Sequence, residues 1–295
     1  MAQSSTELSA ISRLFSSAVF REMASVGRSA TFARLFPSTG LGELSGAGTT
    51  VGEGFDAAFR KLKKAGRRDE YVYRAALTRK ILLGRHSLKT ACMLSEFRAG
   101  SCKADLVILN GTATVYEIKS ERDSLDRLAH QVENYKRVFA TVNVVASQNH
   151  IEQILERMPD DVGVICLSPR YRLSTQRTAV TQPEQVCPET VFESLRSDEA
   201  QRVLKILGEP IPDVPNTRLH SAMRDIFARQ ESTAVHRAMV ATLRATRSLS
   251  SLGEVVDRLP SSLHAAALSI RLKPKEHQRV VVAIKTPLDT AMNWN

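Results

Sequence analysis

The chain has 295 residues, 43% of them apolar and 24% charged, long enough to bury a core without disulfides; that balance argues against wholesale disorder, a collagen-like repeat and a membrane-embedded protein. Forty-one Lys and Arg against 31 Asp and Glu give a formal charge of +10, which points toward a polyanionic partner, and with only 5% aromatic residues nucleic-acid binding would lean on charge more than on base stacking. Cys92, Cys102, Cys166 and Cys187 are scattered with no C-x-x-C, so neither a zinc ribbon nor a disulfide scaffold is expected.

Met1–Phe20 carries Glu7 and Arg13 inside its apolar stretch and lacks a basic start, so it does not read as a secretory signal. No apolar run reaches the roughly 18 residues of a membrane span. A cytoplasmic protein with no membrane partner is the expectation. Ser38–Gly54 holds six of the fourteen glycines with Ser and Thr between them, and reads as a flexible linker. Its Gly46-x-Gly48-x-x-x-Gly52 does not match G-x-G-x-x-G and follows no strand, so a nucleotide loop is rejected. Between Asp56 and Thr90 eleven basic residues face three acids, a net +8. Such a run is either a solvated helix face or an edge that contacts phosphates, with Arg67, Arg68, Arg74, Arg79 and Lys80 as candidate nucleic-acid ligands.

From Tyr71 the periodicity sharpens. Tyr73, Leu77 and Ile81 recur at helical spacing. Ala91–Phe97, Lys103–Leu109 and Thr112–Lys119 then read as strands, with an Asn110-Gly111 turn between the last two. A long amphipathic helix carries Leu125, Leu128, Val132, Tyr135 and Phe139 on one stripe. Strand Val142–Ala146, helix Ile151–Met158 and strands Val162–Leu167 and Tyr171–Ala179 complete an α-β-β-β-α-β-α-β-β order. Beyond Pro188 the pattern is helical: Phe192, Leu195, Val203 and Leu207 mark one helix, and Leu219, Met223, Ile226 and Phe227 another. Val280–Ile284 reads as a lone terminal strand. The fold class is therefore α/β, a mixed central sheet flanked by helices with a helical C-terminal region. Three segments follow: an N-terminal extension (1–69), an α/β core (70–180) and a mostly helical part (188–295) whose basic helices could hold nucleic acid, form a homo-oligomer interface or simply cap the sheet.

Chemistry concentrates in Asp105 and in Tyr116-Glu117-Ile118-Lys119. Glu117 and Lys119, two apart in a strand, project from one face. A carboxylate and an ammonium in an apolar strand are costly to bury, and either an active-site edge or a structural ion pair would account for them. Asp105, one hairpin earlier, adds a second carboxylate; two carboxylates from adjacent strands suit Mg²⁺ (Mn²⁺ as a substitute), and the lysine can orient or help deprotonate water. This requires a register. A two-residue turn at Asn110-Gly111 would set Asp105 opposite Tyr116 and on the wrong face, so an odd loop with Gly111 left-handed, or a bulge near Asp105, is predicted.

Asp105 followed by Glu117-x-Lys119 in this element order resembles the PD-(D/E)XK superfamily of restriction-endonuclease-like nucleases. Gln131-x-x-x-Tyr135 on the next helix resembles the RecB- and Cas4-like branch, and the run from Lys119 to Leu128 is similar to an uncharacterised bacterial PD-(D/E)XK family. Ala104 stands where the literal pattern has proline. The resemblance implies a Mg²⁺-dependent deoxyribonuclease, with Asp105, Glu117, the Ile118 carbonyl and Glu96 as metal ligands, Lys119 assisting the water, and Gln131 and Tyr135 flanking the site. Arg127, a turn before Gln131, joins the nucleic-acid contacts; His130, beside Gln131, could approach the site but is not assigned a catalytic role. DNA is the implied substrate, with RNA left open, and defence, a mobile element or repair would each fit. A catalytically silent nucleic-acid-binding or regulatory protein on the same fold is the alternative. A glycosidase pair is disfavoured by Lys119 and by the scarcity of aromatics.

Overall fold

The computed structural model describes residues 2–44, 48–64 and 66–295. Ser45, Gly46 and Ala47, within the expected linker and rejected nucleotide loop, lie outside the described residues. The chain divides into two compact units. One comprises Lys89–Ser168 and Leu173–Ser248; the other comprises Met1–Leu88, Pro169–Arg172 and Leu249–Asn295. This differs from the three consecutive segments read in the sequence, because the last 47 residues join the N-terminal helices whereas 188–248 belong with the sheet.

The first unit is α/β. Its strands are β1 (Cys92–Ala99), β2 (Cys102–Asn110), β3 (Thr112–Lys119), β4 (Thr141–Ser147), β5 (Gly163–Leu167) and β6 (Leu173–Arg177). They form one mixed sheet in the order β1-β2-β3-β4-β5-β6, with β3-β4 and β4-β5 parallel and the other pairs antiparallel. The parallel pairs are joined by crossovers that contain the helices Leu128–Lys136 and Ile151–Arg157, as a parallel connection requires. β4 and β5 are buried along their whole length, which accounts for the apolar runs Val144–Ala146 and Val164–Leu167.

The helix Leu128–Lys136 is shorter than its apolar stripe. Residues 120–127 form turns instead, because Asp123 Oδ2 accepts the Ser120 N–H at 2.6 Å and Ser124 Oγ accepts that of Asp126 at 3.1 Å. Asp123 therefore closes a turn ahead of the helix. Phe192 to Leu207 likewise forms two helices, Pro188–Ser194 and Ser197–Leu207. The break falls where Leu195 and Arg196 turn extended and Glu199 Oε2 caps the Arg196 N–H. Glu199 also takes two hydrogen bonds from Arg247, each 2.7 Å, and the Arg247 guanidinium lies 5.1 Å over the Phe97 ring. That bidentate pair ties Ser197–Leu207 to the end of the helix Ser232–Thr246, which packs on β2 and β3.

The second unit is helical. Its core is aromatic, with Phe15 stacked on Tyr71 at 4.5 Å and Phe32 packed against Phe36 and Phe55. The expected linker is largely structured. Thr50 opens the helix Val51–Leu62 through a capping box with Glu53. Gly52 is needed for close packing, since a Cβ there would meet Ile284 Cγ2 at 2.6 Å. Val280–Ile284 is not a strand but the end of the helix Pro274–Lys285. Pro274 at its first turn and the Glu276 side chain on the Lys273 N–H start that helix, and Val280, Val281 and Ile284 are its buried face. Among the described residues no helix is long and apolar enough to cross a membrane.

His236, in Ser232–Thr246, is buried and its Nε2 accepts the Ala113 N–H at 3.2 Å, a role only the neutral ring can fill. Burial pushes its pKa down from 6.5 to about 4. Between those values the unfolded chain binds more protons than the native one, so stability must fall as pH drops through the window, by up to about 3 kcal/mol. Urea unfolding at steps from pH 7 to pH 4 is expected to show that loss and His236→Gln to flatten it; an equal slope in the variant would contradict the assignment.

Candidate active site

β3 is the strand on which the polar groups converge. It is paired on both edges and nearly all buried, yet carries Glu117 and Lys119, whose side chains are only 2% and 8% exposed. Their cross-strand neighbours on β4 are Val144 and Ala146, which offer no polar partner from their side chains. The two side chains therefore satisfy each other. Lys119 Nζ donates to Glu117 Oε1 at 2.9 Å and to Gln131 Oε1 at 2.8 Å. The Tyr135 hydroxyl lies 2.7 Å from Glu117 Oε2 and 2.8 Å from the Lys103 carbonyl on β2, two acceptors for its single proton. Gln131 and Tyr135, four apart on Leu128–Lys136, reach the same face of β3 as helical spacing requires. Burial, then the Glu117 carboxylate beside it, holds the Tyr135 phenol far above its ordinary range, so it acts as a neutral donor.

Asp105 joins this group through the register. Gly111 is left-handed at φ 71°, and β2 and β3 pair as Leu109↔Ala113 and Leu106↔Tyr116 around a three-residue loop. Continued one step, that register sets Asp105 across from Glu117, the odd arrangement the chemistry asks for. The ladder itself stops at Leu106, and the Asp105 Oδ2 accepts the Ile118 N–H at 2.8 Å in place of a backbone carbonyl. On the other edge of β2, pairing skips from Ser95↔Leu106 to Phe97↔Ala104. The two residues passed over are Glu96 and Asp105 itself; Glu96 is exposed and sits at φ 53°, a conformation an L side chain rarely holds without reason. Its carboxylate comes within 4.8 Å of that of Asp105.

The donor set suits a hard divalent cation. Asp105 and Glu96 offer two carboxylates at close range; Glu117 does not share that 4.8 Å grouping, and each of its oxygens accepts one hydrogen bond. For Ile118, the feature in view is its N–H held by Asp105. His130 is exposed and lies with Ser101 and Asn134 rather than with Lys119.

The basic candidates differ among themselves. Arg127 is exposed at the start of Leu128–Lys136. Arg67, Arg68, Arg74, Arg79 and Lys80 belong to the helical unit. Arg68 is not a phosphate ligand there: it is 2% exposed and donates to the carbonyls of Lys63 and Pro169. Arg74 is paired with Glu70, and Lys80 donates to the Tyr171 carbonyl at 2.7 Å while lying over the Tyr171 ring. Arg79 is exposed and Arg67 half-buried. Sequence reasoning missed the Lys103 carbonyl and the buried Asn134, whose Oδ1 accepts the Ser101 N–H at 3.1 Å. The signal available for the latter was Gly100-Ser101 between two strands, where Gly100 takes φ 58° and a Cβ would strike Asn134 Oδ1 at 2.3 Å.

Residues 63–251 match the family described as Bacteriophage P4 protein cII. Protein cII of Enterobacteria phage P4 is 26% identical over 201 residues, 65% of this chain and 74% of that protein. A solved protein of unknown function from Silicibacter pomeroyi is 20% identical and overlaps 40% of this chain and 80% of its own, at a TM-score of 0.27, too slight a likeness to inform the fold.

Removing one member of the buried pair leaves the other unpaired in an apolar strand. Lys119→Met is expected to lower unfolding stability by about 3–5 kcal/mol, and Glu117→Gln combined with Lys119→Met to recover much of that. Denaturant unfolding reads both, and a Lys119→Met protein as stable as the wild type would contradict the pairing.

Proposed function

The chain belongs to the bacteriophage P4 protein cII family, and from the groups gathered on its sheet we propose that it is a metal-dependent nuclease that hydrolyses DNA phosphodiester bonds. The observation that carries the reading is the joint placement of Asp105, Glu117 and Lys119. A carboxylate stands across from a carboxylate–ammonium pair, and Gln131 and Tyr135 hold that pair from the next helix. The reading also draws on the PD-(D/E)XK resemblance of Asp105 and Glu117-x-Lys119 in the sequence.

Each residue then has a part. Asp105, Glu117 and Glu96 would hold the cation, with the Ile118 carbonyl as a further ligand. Bound Mg²⁺, or Mn²⁺ in its place, would supply charge neutralisation at the phosphate and a more acidic water. Two of the three Lys119 N–H groups are engaged by Glu117 and Gln131, and the third makes no hydrogen bond among the described residues. It is the group that orients a water or a phosphate oxygen. Glu117 and Gln131 fix the Nζ from two sides, and Tyr135 fixes Glu117, so the ammonium is set before substrate arrives.

A silent nucleic-acid-binding protein on the same sheet is the second reading. The observation in its favour is the depth of Glu117, 1% exposed with both oxygens already accepting hydrogen bonds.

One assay separates the two. Supercoiled plasmid is incubated with Mg²⁺ or Mn²⁺ and with a chelator control. Nicking or linearisation that requires the cation, and that falls at least about a hundredfold in Asp105→Asn, is the expected result. Asp105 is half-buried, and asparagine keeps a side-chain oxygen that can accept the Ile118 N–H; a melting curve beside the assay shows whether the variant is folded. No cation-dependent cleavage of plasmid, linear duplex or single strand would leave the silent reading. Binding should also weaken steeply between about 50 and 200 mM salt, since each neutralised phosphate releases counterions. Salt-independent binding would contradict a grip on the backbone.

A further inference from the structure

The helix Leu128–Lys136 has a second use. While Gln131 and Tyr135 face the ion pair, His130, Glu133 and Asn134 line a cavity of about 520 Å³ together with Arg98, Ser101, Arg137 and Glu189. Its floor is fixed. Buried Asn134 accepts the Ser101 N–H at 3.1 Å and donates to the His130 carbonyl at 2.9 Å, and Ser101 Oγ lies 3.0 Å from His130 Nε2. Gly100, left-handed and without a Cβ, lets the β1-β2 turn approach Asn134 this closely.

The charges on the walls are uneven in their commitments. Arg224 already faces Glu193 at 3.6 Å. Arg98 has only a 3.4 Å bond to the Gly100 carbonyl, and Arg137 only a 3.7 Å contact with Cys187 Sγ. Neither makes an ion pair among the described residues. Glu133 makes no hydrogen bond or ion pair among them either, and Glu189 accepts from its own backbone N–H and from the Cys187 thiol at 3.3 Å. Its own backbone N–H, that thiol and the nearby arginines keep the Glu189 carboxyl below its ordinary range, so it stays an acceptor.

We infer that this cavity is a binding site for a nucleoside monophosphate. Two guanidiniums that make no ion pair among the described residues offer donors to the three oxygens of a phosphomonoester, and arginine forks match that geometry, while the Ser101 hydroxyl stays with Asn134 Oδ1 and His130 Nε2. Glu133 and Glu189 accept the amino and ring N–H groups of a base. The volume lies in the range of small-ligand sites, about 300–1,000 Å³. Ser101 and His130 are floor and not catalyst: His130 Nε2 already has Asn134 Nδ2 at 3.3 Å, and no carboxylate pairs with the ring among the described residues. The site stands independently of the nuclease reading.

The test is calorimetric titration, in chelator so that cleavage plays no part, with the four nucleoside 5′-monophosphates, the matching nucleosides and inorganic phosphate. At least one monophosphate is expected to bind tighter than about 1 mM, more tightly than its nucleoside and than phosphate. Arg98→Ala with Arg137→Ala should weaken it by at least about tenfold, the scale of one charged hydrogen bond. These side chains are exposed, so a melting curve can confirm that the variant is folded. A 5′-phosphorylated oligonucleotide that competes would identify a strand end as a source of the same group; failure to compete would identify the free nucleotide. No binding by any monophosphate, or equal binding by the double variant, would overturn the inference.

Discussion

A carboxylate and an ammonium buried side by side on the central strand constrain everything around them. Little water reaches Glu117 or Lys119, so the sheet and the helix after it supply most of their partners from fixed positions: Gln131 to the ammonium, Tyr135 to the carboxylate. Because Tyr135 also reaches the Lys103 carbonyl, one hydroxyl ties β2, β3 and the helix Leu128–Lys136 together. Such a pair is weak as a source of stability, since desolvation offsets most of the attraction. What it fixes is position: Gln131 and Tyr135 both reach the pair from one face of the helix.

The strands around this pair were legible in the sequence because the signals were local. Alternation and β-branched runs gave the strand order, and Asn110-Gly111 gave the turn. The demand that Asp105 share a face with Glu117 required an odd loop, and Gly111 at φ 71° provides it. What was not legible depends on distant contacts. Val280–Ile284 is apolar and β-branched enough for a strand, but a proline and a capping glutamate upstream commit it to a helix. The glycines of Ser38–Gly54 looked like freedom; Gly52 instead answers to Ile284, more than two hundred residues away. The left-handed turn at Glu96 had no sequence cue, since a glutamate is a poor candidate for positive φ.

Charge was the least transferable signal. The basic window between Asp56 and Thr90 reads as a phosphate grip when residues are counted. In the fold, Arg68 serves two backbone carbonyls, Arg74 answers Glu70, and Lys80 holds the Tyr171 carbonyl. Arginine and lysine carry several donors on a long stem and are readily recruited to satisfy buried carbonyls. A formal +10 therefore overstates the charge free to meet a polyanion. By contrast, Arg98 and Arg137, which no charge run flagged, line a cavity with little else to bind.

The account turns on whether the acidic groups around Asp105 take up a divalent cation beside the buried pair. Titration of Mn²⁺ into the protein with a short oligonucleotide present addresses this without requiring turnover. A saturable heat in the wild-type protein that disappears in Asp105→Asn is expected. No uptake in the wild type, or the same uptake in the variant, would contradict it.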